Sequence, residues 1–163
     1  MKNSGLIVRS LLYTILIPTN VIFFVPYLLR RVDSDMPVLN FGIIGWTGWL
    51  FILLGFAVIL ASNWKFTFTG HGTLWPVEPP KEFVATGVFR YVRNPMYVGV
   101  LTALFGQFLL DGDILILGFA MILCLGFNLL IHFYEEPNLR KRFGHTYEEY
   151  CQKVNRWIPK IPN

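Results

Sequence analysis

Long apolar runs separated by polar segments dominate the chain. A bilayer-spanning helix needs about 20 mostly apolar residues, and runs of that length cover residues 6–29, 41–61 and 114–134. A fourth run, residues 95–110, would reach roughly 24 Å as an α-helix, so it crosses only if the membrane thins or its ends are buried in protein. The pattern predicts an all-α integral membrane protein with about four transmembrane helices.

Prolines and small residues within these runs predict how the helices bend and pack. Pro18 and Pro26 each remove a helical hydrogen bond, so the first span should be kinked. Small residues allow membrane helices to approach closely, and they recur in the later spans: Gly42, Gly45, Gly48 and Gly55, then Gly99, Ala103 and Gly106, then Gly118, Ala120 and Gly126. The short connection 111–113 predicts a close antiparallel hairpin of spans three and four, with Asp113 capping the fourth helix.

The longest polar segment, residues 62–92, contains Gly and Pro clusters that oppose regular structure, and it predicts an extended loop. Such a loop is either a connector or the lid and wall of a pocket. Asn94 and Pro95 then mark a helix start, because Asn caps exposed N–H groups and Pro is tolerated at the first helical position. Flanked by Arg90 and Arg93, this helix end suits a carboxylate or phosphate, although the two arginines could equally serve membrane topology.

A second polar cluster ends span four with Asn128, His132, Glu135 and Glu136. Steps of four and three residues place the first three side chains on one face of an α-helix. Ionisable side chains in or near a span are costly and usually functional. The alternative is that the two glutamates pair with the basic residues at 140–142 on a solvated helix end.

The C-terminal tail is amphipathic, with Leu139 and Phe143 on one side and basic residues around the other. Gly144 predicts a helix stop, and Thr146 with Glu149 matches a capping box that starts another short helix. This tail either folds over the hairpin to roof a pocket or lies on the lipid headgroups.

Composition and charge exclude several other classes of protein. Of the 163 residues, 54% are hydrophobic and 15% are charged, which is too apolar for a soluble domain. The net charge is +4, and the distribution of the basic residues indicates membrane topology rather than nucleic-acid binding. With four spans and cytoplasmic termini, all 14 Lys and Arg residues except Arg30 and Arg31 lie on the cytoplasmic side, as the positive-inside rule favours. The first apolar run is predicted to be a retained span rather than a cleaved signal. Two cysteines without a CxxC pair predict neither a disulfide framework nor a structural metal.

Two motifs in this order resemble the isoprenylcysteine carboxyl methyltransferase and phospholipid methyltransferase group. The first is Gly87-x-Phe89-Arg90-Tyr91-x-Arg93-Asn94-Pro95-Met96-Tyr97-x-Gly99. The second is Glu135-Glu136-Pro137-x-Leu139-x-x-x-Phe143-Gly144-x-x-Tyr147-x-x-Tyr150, and it closes with Val154-x-Arg156-x-Ile158-Pro159. The resemblance implies an integral membrane enzyme that uses S-adenosylmethionine, with a hairpin and short C-terminal cytoplasmic helices enclosing the cofactor.

The resemblance also implies residue roles. Arg93, Asn94 and Tyr97 would meet the methionine end or the reacting region of the cofactor. Some members carry His where this chain has Asn94, and His132 is the possible substitute. The implied catalytic set is Arg93, Asn94, Tyr97 and His132. The implied cofactor-binding set is Arg90, Tyr91, Arg93, Tyr97, Gly99, His132, Glu135, Glu136, Leu139, Tyr147, Tyr150 and Arg156.

The resemblance implies that different residues of this set contact different parts of the cofactor. The two glutamates would bind the ribose hydroxyls or the ammonium group of the cofactor. Leu139, Tyr147 and Tyr150 would form the adenine side, and Arg156 would close the site. A carboxylate acceptor needs no base, whereas a thiol or an amine must first lose a proton, for which His132 or a glutamate is available.

The resulting prediction is a single membrane domain with two N-terminal spans in residues 1–61, a cytoplasmic loop in 62–96 and a cofactor-binding hairpin with C-terminal helices in 95–163. It would sit in a bacterial-type inner membrane or an endomembrane, with the active site cytoplasmic. Its substrate would be a lipophilic or small methyl acceptor, namely an isoprenylcysteine-like carboxylate, a lipid amine or a thiol. Two alternatives are an NADPH-dependent enzyme similar to sterol reductases and a small non-catalytic membrane protein.

Overall fold

The computed structural model describes residues 5, 8, 12–13, 16–32, 38–70 and 82–160 of the chain. These residues form helices and connecting segments, and the only strand-like pairing among them is an isolated bridge between Val38 and Asp113. The α-helices, in chain order, are α1 (Val25–Val32), α2 (Gly48–Phe68), α3 (Pro95–Asp111), α4 (Ile114–Leu130) and α5 (Glu136–Lys153). The all-α prediction is therefore confirmed for the described residues.

Four short helical turns complete these elements. Two are 3-10 turns, Gly42–Thr47 before α2 and Gly87–Arg90 before α3. Two are π turns, Asn20–Phe24 before α1 and Ile131–Glu135 between α4 and α5. The first π turn lies between the two prolines for which a kink was predicted, where the N–H of Val25 donates to the carbonyl of Asn20.

Two helical segments in the described residues are long and apolar enough to cross a membrane. They are Gly42–Phe68, with a mean hydropathy of 2.3, and the apolar part of the segment Ile114–Lys153, with a value of 2.7. The second segment is kinked at Gly144, whose φ of 51° and ψ of −128° are not helical, so the helix stop predicted there is confirmed. The shorter apolar helix Pro95–Asp111 agrees with the shorter apolar run predicted at residues 95–110. Because the first predicted span lies partly outside the described residues, the count of four spans stays a prediction.

Helix α2 continues further than predicted. The segment 62–68 belongs to α2 rather than to the loop, so this part of the loop prediction was wrong. Ser62 Oγ donates to the carbonyl of Val58 at 2.6 Å, and Asn63 and Thr67 are buried. Polar residues of this kind remain helical where the packed helix gives their side chains partners. Residues 71–81 of the remaining predicted loop lie outside the described residues.

Glycines hold α2 and α3 in close antiparallel contact. A Cβ atom placed on Gly55 would lie 2.5 Å from the carbonyl oxygen of Gly99, and one on Gly48 would lie 2.3 Å from that of Gly106. The reverse contacts are equally tight, at 2.8 Å from Gly99 to the oxygen of Gly55 and 2.6 Å from Gly106 to that of Gly48. The two backbones therefore touch at two levels, as small-residue contacts between membrane helices allow.

The hairpin between α3 and α4 turns at a left-handed glycine. Gly112 has φ +66°, and its carbonyl accepts a hydrogen bond from the N–H of Leu39 at 2.8 Å. Asp113 Oδ1 accepts from the N–H of Leu115 at 2.9 Å, so the predicted cap of the fourth helix is present. Apart from the backbone of α4 itself, no atom of the described residues lies within 4 Å of a Cβ added at Gly118 or Gly126. The small face of α3 therefore packs against α2, and these glycines of α4 do not take part in a tight contact.

Two hydrophobic clusters connect the helices to the site. The first is centred on buried residues of α2, α3 and α4 together with Ile22: Ile22, Ile59, Val100, Ala103, Leu104, Phe108 and Ile116. The second contains Tyr147, Tyr150 and Val154, with Phe83 and Leu139 among the side chains packed on it. The second cluster places α5 against the segment that precedes α3.

We expect the glycine contacts to control stability. Gly55→Ala and Gly106→Ala each insert a methyl group within 3 Å of a backbone oxygen, so the helices must separate, at a cost of about 1–3 kcal/mol each. Thermal unfolding of the purified protein in detergent should show a lower midpoint for both variants. Gly118→Ala is the matched control, because its methyl group meets no atom within 4 Å. An equal loss in all three variants would contradict the tight contact between α2 and α3.

Candidate active site

A buried carboxylate, that of Glu136, lies at the centre of the site. This residue is 3% exposed and is the first residue of α5. Arg156 donates to it through Nε and Nη2, both at 2.9 Å. Arg93 Nη1 lies 3.1 Å from Oε1, and Arg140 Nη2 lies 3.7 Å from Oε2. Three guanidinium groups thus share one carboxylate, which leaves excess positive charge at this end of the helices.

The start of α3 brings Arg93 to this carboxylate. Pro95 occupies the first helical turn, as predicted, and Asn94 is at the N-cap position. The Asn94 side chain makes no capping bond; its Nδ2 donates instead to the carbonyl of Arg156 at 3.2 Å. The capping expectation for the Asn94 side chain was therefore wrong, because a backbone acceptor from the C-terminal segment competes successfully for its amide.

A second carboxylate faces α3 one residue earlier in the chain. Tyr97 donates its phenolic hydrogen to Glu135 Oε1. The Tyr97 ring stacks on Phe127 with the centroids 4.4 Å apart, which fixes the direction of the hydroxyl. Glu135 is therefore held by a neutral donor, whereas its neighbour Glu136 is held by arginines.

Aromatic side chains form the opposite wall of the site. The Phe83 ring lies 5.1 Å from Tyr150 and 5.9 Å from Tyr147, both in edge-on geometry, and 5.4 Å from Phe143. The Tyr150 hydroxyl donates to the carbonyl of Phe89 at 2.5 Å. Burial raises the pKa of the Tyr150 phenol well above its ordinary value, so this hydroxyl remains protonated and keeps donating at physiological pH.

These walls enclose a cavity of about 530 Å³, a size typical of small-molecule sites. Seven of the predicted site residues line it: Arg93, Asn94, Tyr97, Glu135, Leu139, Tyr147 and Tyr150. Three of these residues belong to the first motif and four to the second, so both motifs line the same cavity.

The other predicted site residues lie outside the lining of this cavity. Arg90 and Tyr91 are exposed, and Gly99 packs against α2. Glu136 and Arg156 do not line the cavity but contact residues that do. Glu136 pairs with Arg93, and the carbonyl of Arg156 accepts the hydrogen bond of Asn94. His132 is exposed and makes an edge-on contact with the ring of Phe133 at 4.8 Å.

The π turn Ile131–Glu135 explains the position of His132. The prediction that Asn128, His132 and Glu135 share one face assumed a regular α-helix, but a π turn adds a residue to the turn and shifts the register. As a result Glu135 and Glu136 face α3 and the C-terminal segment, while His132 is turned outwards. A shared face including His132 was therefore a wrong expectation.

Several lining residues were not found from the sequence. Ser62 and Phe66 come from the end of α2, Phe83 from the segment before α3, and Asn138 from the second motif. The segment around Phe83 has no periodic pattern, so its packing on two tyrosines leaves no signal in one sequence. Asn138 is different, because its place between Glu136 and Leu139 could have suggested it.

The described residues contain no group of three or more His, Cys, Asp or Glu side chains that could hold a metal ion. The polar side chains that line the cavity are those of arginine, lysine, glutamate, asparagine, serine and tyrosine residues. Such a set favours an organic ligand that carries both charges and an aromatic portion.

Comparisons with known proteins find similar methyltransferases. A probable protein-S-isoprenylcysteine O-methyltransferase of Oryza sativa subsp. indica is 38% identical over 85 residues, which are 52% of this chain and 44% of that protein. The protein-S-isoprenylcysteine O-methyltransferase of Schizosaccharomyces pombe (strain 972 / ATCC 24843) is 41% identical over 80 residues, 48% of this chain and 34% of that protein. A methanethiol S-methyltransferase of Pseudomonas sp. (strain GM41(2012)) is 30% identical over 119 residues, 71% of this chain and 44% of that protein.

These matches span less than half the length of each of the three relatives. No solved structure matches the chain. The model of the phospholipid methyltransferase family matches residues 43–146, which include α2, α3, α4 and the first part of α5. This match covers more than half of the chain and confirms the family expected from the two motifs. The chain belongs to the phospholipid methyltransferase family.

Proposed function

We propose that this protein transfers a methyl group from S-adenosylmethionine to a lipophilic or small acceptor at the end of the helices where α3 begins. The observation that carries the proposal is the cavity of about 530 Å³, in which an arginine and a carboxylate face an aromatic wall. Family membership supports the reaction class, because the relatives are named as methyltransferases.

The residues of the cavity fit this methyl donor. Its methionine portion carries a carboxylate and an ammonium group, and its adenine is a flat aromatic ring. Arg93 Nε is buried without a hydrogen-bond partner among the described residues, in a region where arginines outnumber carboxylates. A carboxylate of the donor would neutralise part of this excess charge. Glu135 offers the opposite charge to an ammonium group, and the wall around Phe83 offers ring contacts to adenine.

S-adenosylmethionine supplies a methyl group activated by its attachment to a sulfonium. The protein therefore has to align donor and acceptor and to exclude water. Tyr97 and Asn94 lie at the start of α3 and line the cavity together with Arg93 and Glu135. Aromatic rings such as that of Tyr97 also attract a cation placed over their faces. These residues would orient the reacting groups without forming a covalent intermediate.

The apolar residues of the cavity lining support a lipophilic acceptor. They include Phe66 from α2 and Met96 from α3 together with Leu130 and Tyr134. Leu130 and Tyr134 are also exposed on the outer surface of the helices, so an acceptor could enter sideways from a bilayer. A carboxylate acceptor would need no base, whereas a thiol or an amine would pass its proton to Glu135, which lines this cavity and accepts the hydrogen bond of Tyr97.

We further propose that four helices span the membrane and that the site faces the cytoplasm. Basic residues gather at the site end of the helices, where Arg90, Arg93 and residues 140–142 lie. At the opposite end Arg30 is paired with Asp111 and Asp113. This asymmetry is what the positive-inside rule expects of a cytoplasmic site.

The first expected result is binding of the methyl donor. Calorimetry on the purified protein in detergent should show saturable heat with S-adenosylmethionine and with its demethylated product. NADPH should give no heat, which separates this proposal from the reductase alternative. The absence of binding by either methyl-donor ligand would contradict the proposed function.

The second expected result concerns two charged residues of the cavity lining, Arg93 and Glu135. Arg93→Ala removes the buried donor, and Glu135→Gln removes the carboxylate, so each should weaken donor binding at least about tenfold, the loss of one charge-assisted hydrogen bond. His132→Ala is the control, because His132 is exposed outside the cavity. Thermal unfolding of the variants checks that they remain folded. Full donor affinity in both variants would show that Arg93 and Glu135 do not bind the donor, and would leave membrane topology as their role.

A further inference from the structure

The residues that follow α5 form a strap, residues 154–160, across the beginning of α3. The carbonyl of Asn155 accepts a hydrogen bond from the backbone N–H of Arg93 at 2.9 Å. The next carbonyl, that of Arg156, accepts from the Asn94 side chain at 3.2 Å. The strap thus holds Arg93 and Asn94, the two polar residues of the first motif that line the cavity ahead of Tyr97.

Two further hydrogen bonds hold the strap, one at its far end and one in its middle. The backbone N–H of Lys160 donates to the carbonyl of Tyr91 at 2.9 Å. Between these points the indole Nε1 of Trp157 donates to Asn128 Oδ1, also at 2.9 Å. Asn128 is a residue of the apolar helix α4, and its Nδ2 donates to the carbonyl of Cys124 at 2.9 Å.

The bond to Cys124 fixes the orientation of the Asn128 amide. Because the amide nitrogen is occupied by a carbonyl of its own helix, the amide oxygen is the atom presented to the indole of Trp157. Both side chains are half-buried. Breaking this bond would leave two half-buried polar groups without each other, and each would keep part of its desolvation cost.

We propose that Trp157 and Asn128 are positioning residues for the methyl donor. Their hydrogen bond fixes the strap to α4, and the strap fixes Arg93 and Asn94 at the cavity wall. The pairing of Arg156 with Glu136 fixes the same strap to α5. The strap therefore joins α3, α4 and α5 at the donor-binding end of the cavity. This inference rests on the proposed function, since it assigns a role in binding the donor.

The test compares Trp157→Phe, which keeps an aromatic side chain and removes the indole N–H, with Asn128→Ala and with the double variant. Each single change should raise the donor Kd and KM about five- to tenfold, the effect of one hydrogen bond. The double variant should bind no more weakly than the weaker single variant, because both changes remove the same bond. The kcat at saturating donor should stay within about twofold of the wild type, since the residues that touch the donor are unchanged.

The chain offers matched controls for both residues. Trp64→Phe alters an exposed tryptophan that contacts Phe68 and lies outside the cavity lining. Asn20→Ala removes an asparagine with the same type of bond, from Nδ2 to the carbonyl of Leu16 at 2.7 Å, but on another helix. Both controls should leave donor affinity unchanged. Indole ¹⁵N NMR should show the Trp157 signal shifting in Asn128→Ala and staying in place in Asn20→Ala.

The outcomes are separable. If the wild type binds the donor and the Trp157 and Asn128 variants bind it equally well, the positioning role is overturned and the proposed function stands. If these variants lose kcat and thermal stability at unchanged donor KM, the bond serves folding alone and the inference is also overturned. If the wild type binds no donor, the proposed function fails together with this inference.

Discussion

The sharing of the Glu136 carboxylate between arginines is the interaction on which the site depends. It joins the start of α3 through Arg93, the C-terminal strap through Arg156 and the second turn of α5 through Arg140. Breaking a buried ion pair leaves an unpaired charge and typically costs about 3–5 kcal/mol. The same network also has more positive than negative charge, so it both fixes the geometry of the wall and favours a bound anion.

This network can form only because the helices beneath it are close together. The paired glycines of α2 and α3 bring two backbones into contact, and in a membrane such packing replaces much of the hydrophobic driving force available in water. Near the same end, Ser62 and Phe66 of α2 line the cavity opposite residues of α3. A wider spacing of the two helices would therefore open the cavity at its apolar end and move α3 away from Glu136.

The sequence was informative where a local rule determines structure. Pro95 starts α3 and Asp113 caps α4 because a missing N–H and a short carboxylate have few alternatives at those positions. It was uninformative where distant contacts decide. A single sequence does not reveal the π turn that rotates His132 outwards, the backbone acceptor that takes the Asn94 amide, or the choice of α2 as the partner of the α3 glycines. Each of these results from competition between partners that only the folded chain brings together.

The motif residues divide into those that line the cavity and those that hold them. Gly99, Glu136 and Arg156 belong to the motifs but serve packing and positioning, so the sequence pattern would persist in proteins that share the architecture and differ in acceptor. The wall contributed by Ser62, Phe66, Leu130 and Tyr134 lies outside both motifs. These side chains form a largely apolar part of the cavity wall, which the proposed acceptor would contact. Acceptor selectivity should therefore be determined by this wall, since the motif residues constrain the donor side and the fold.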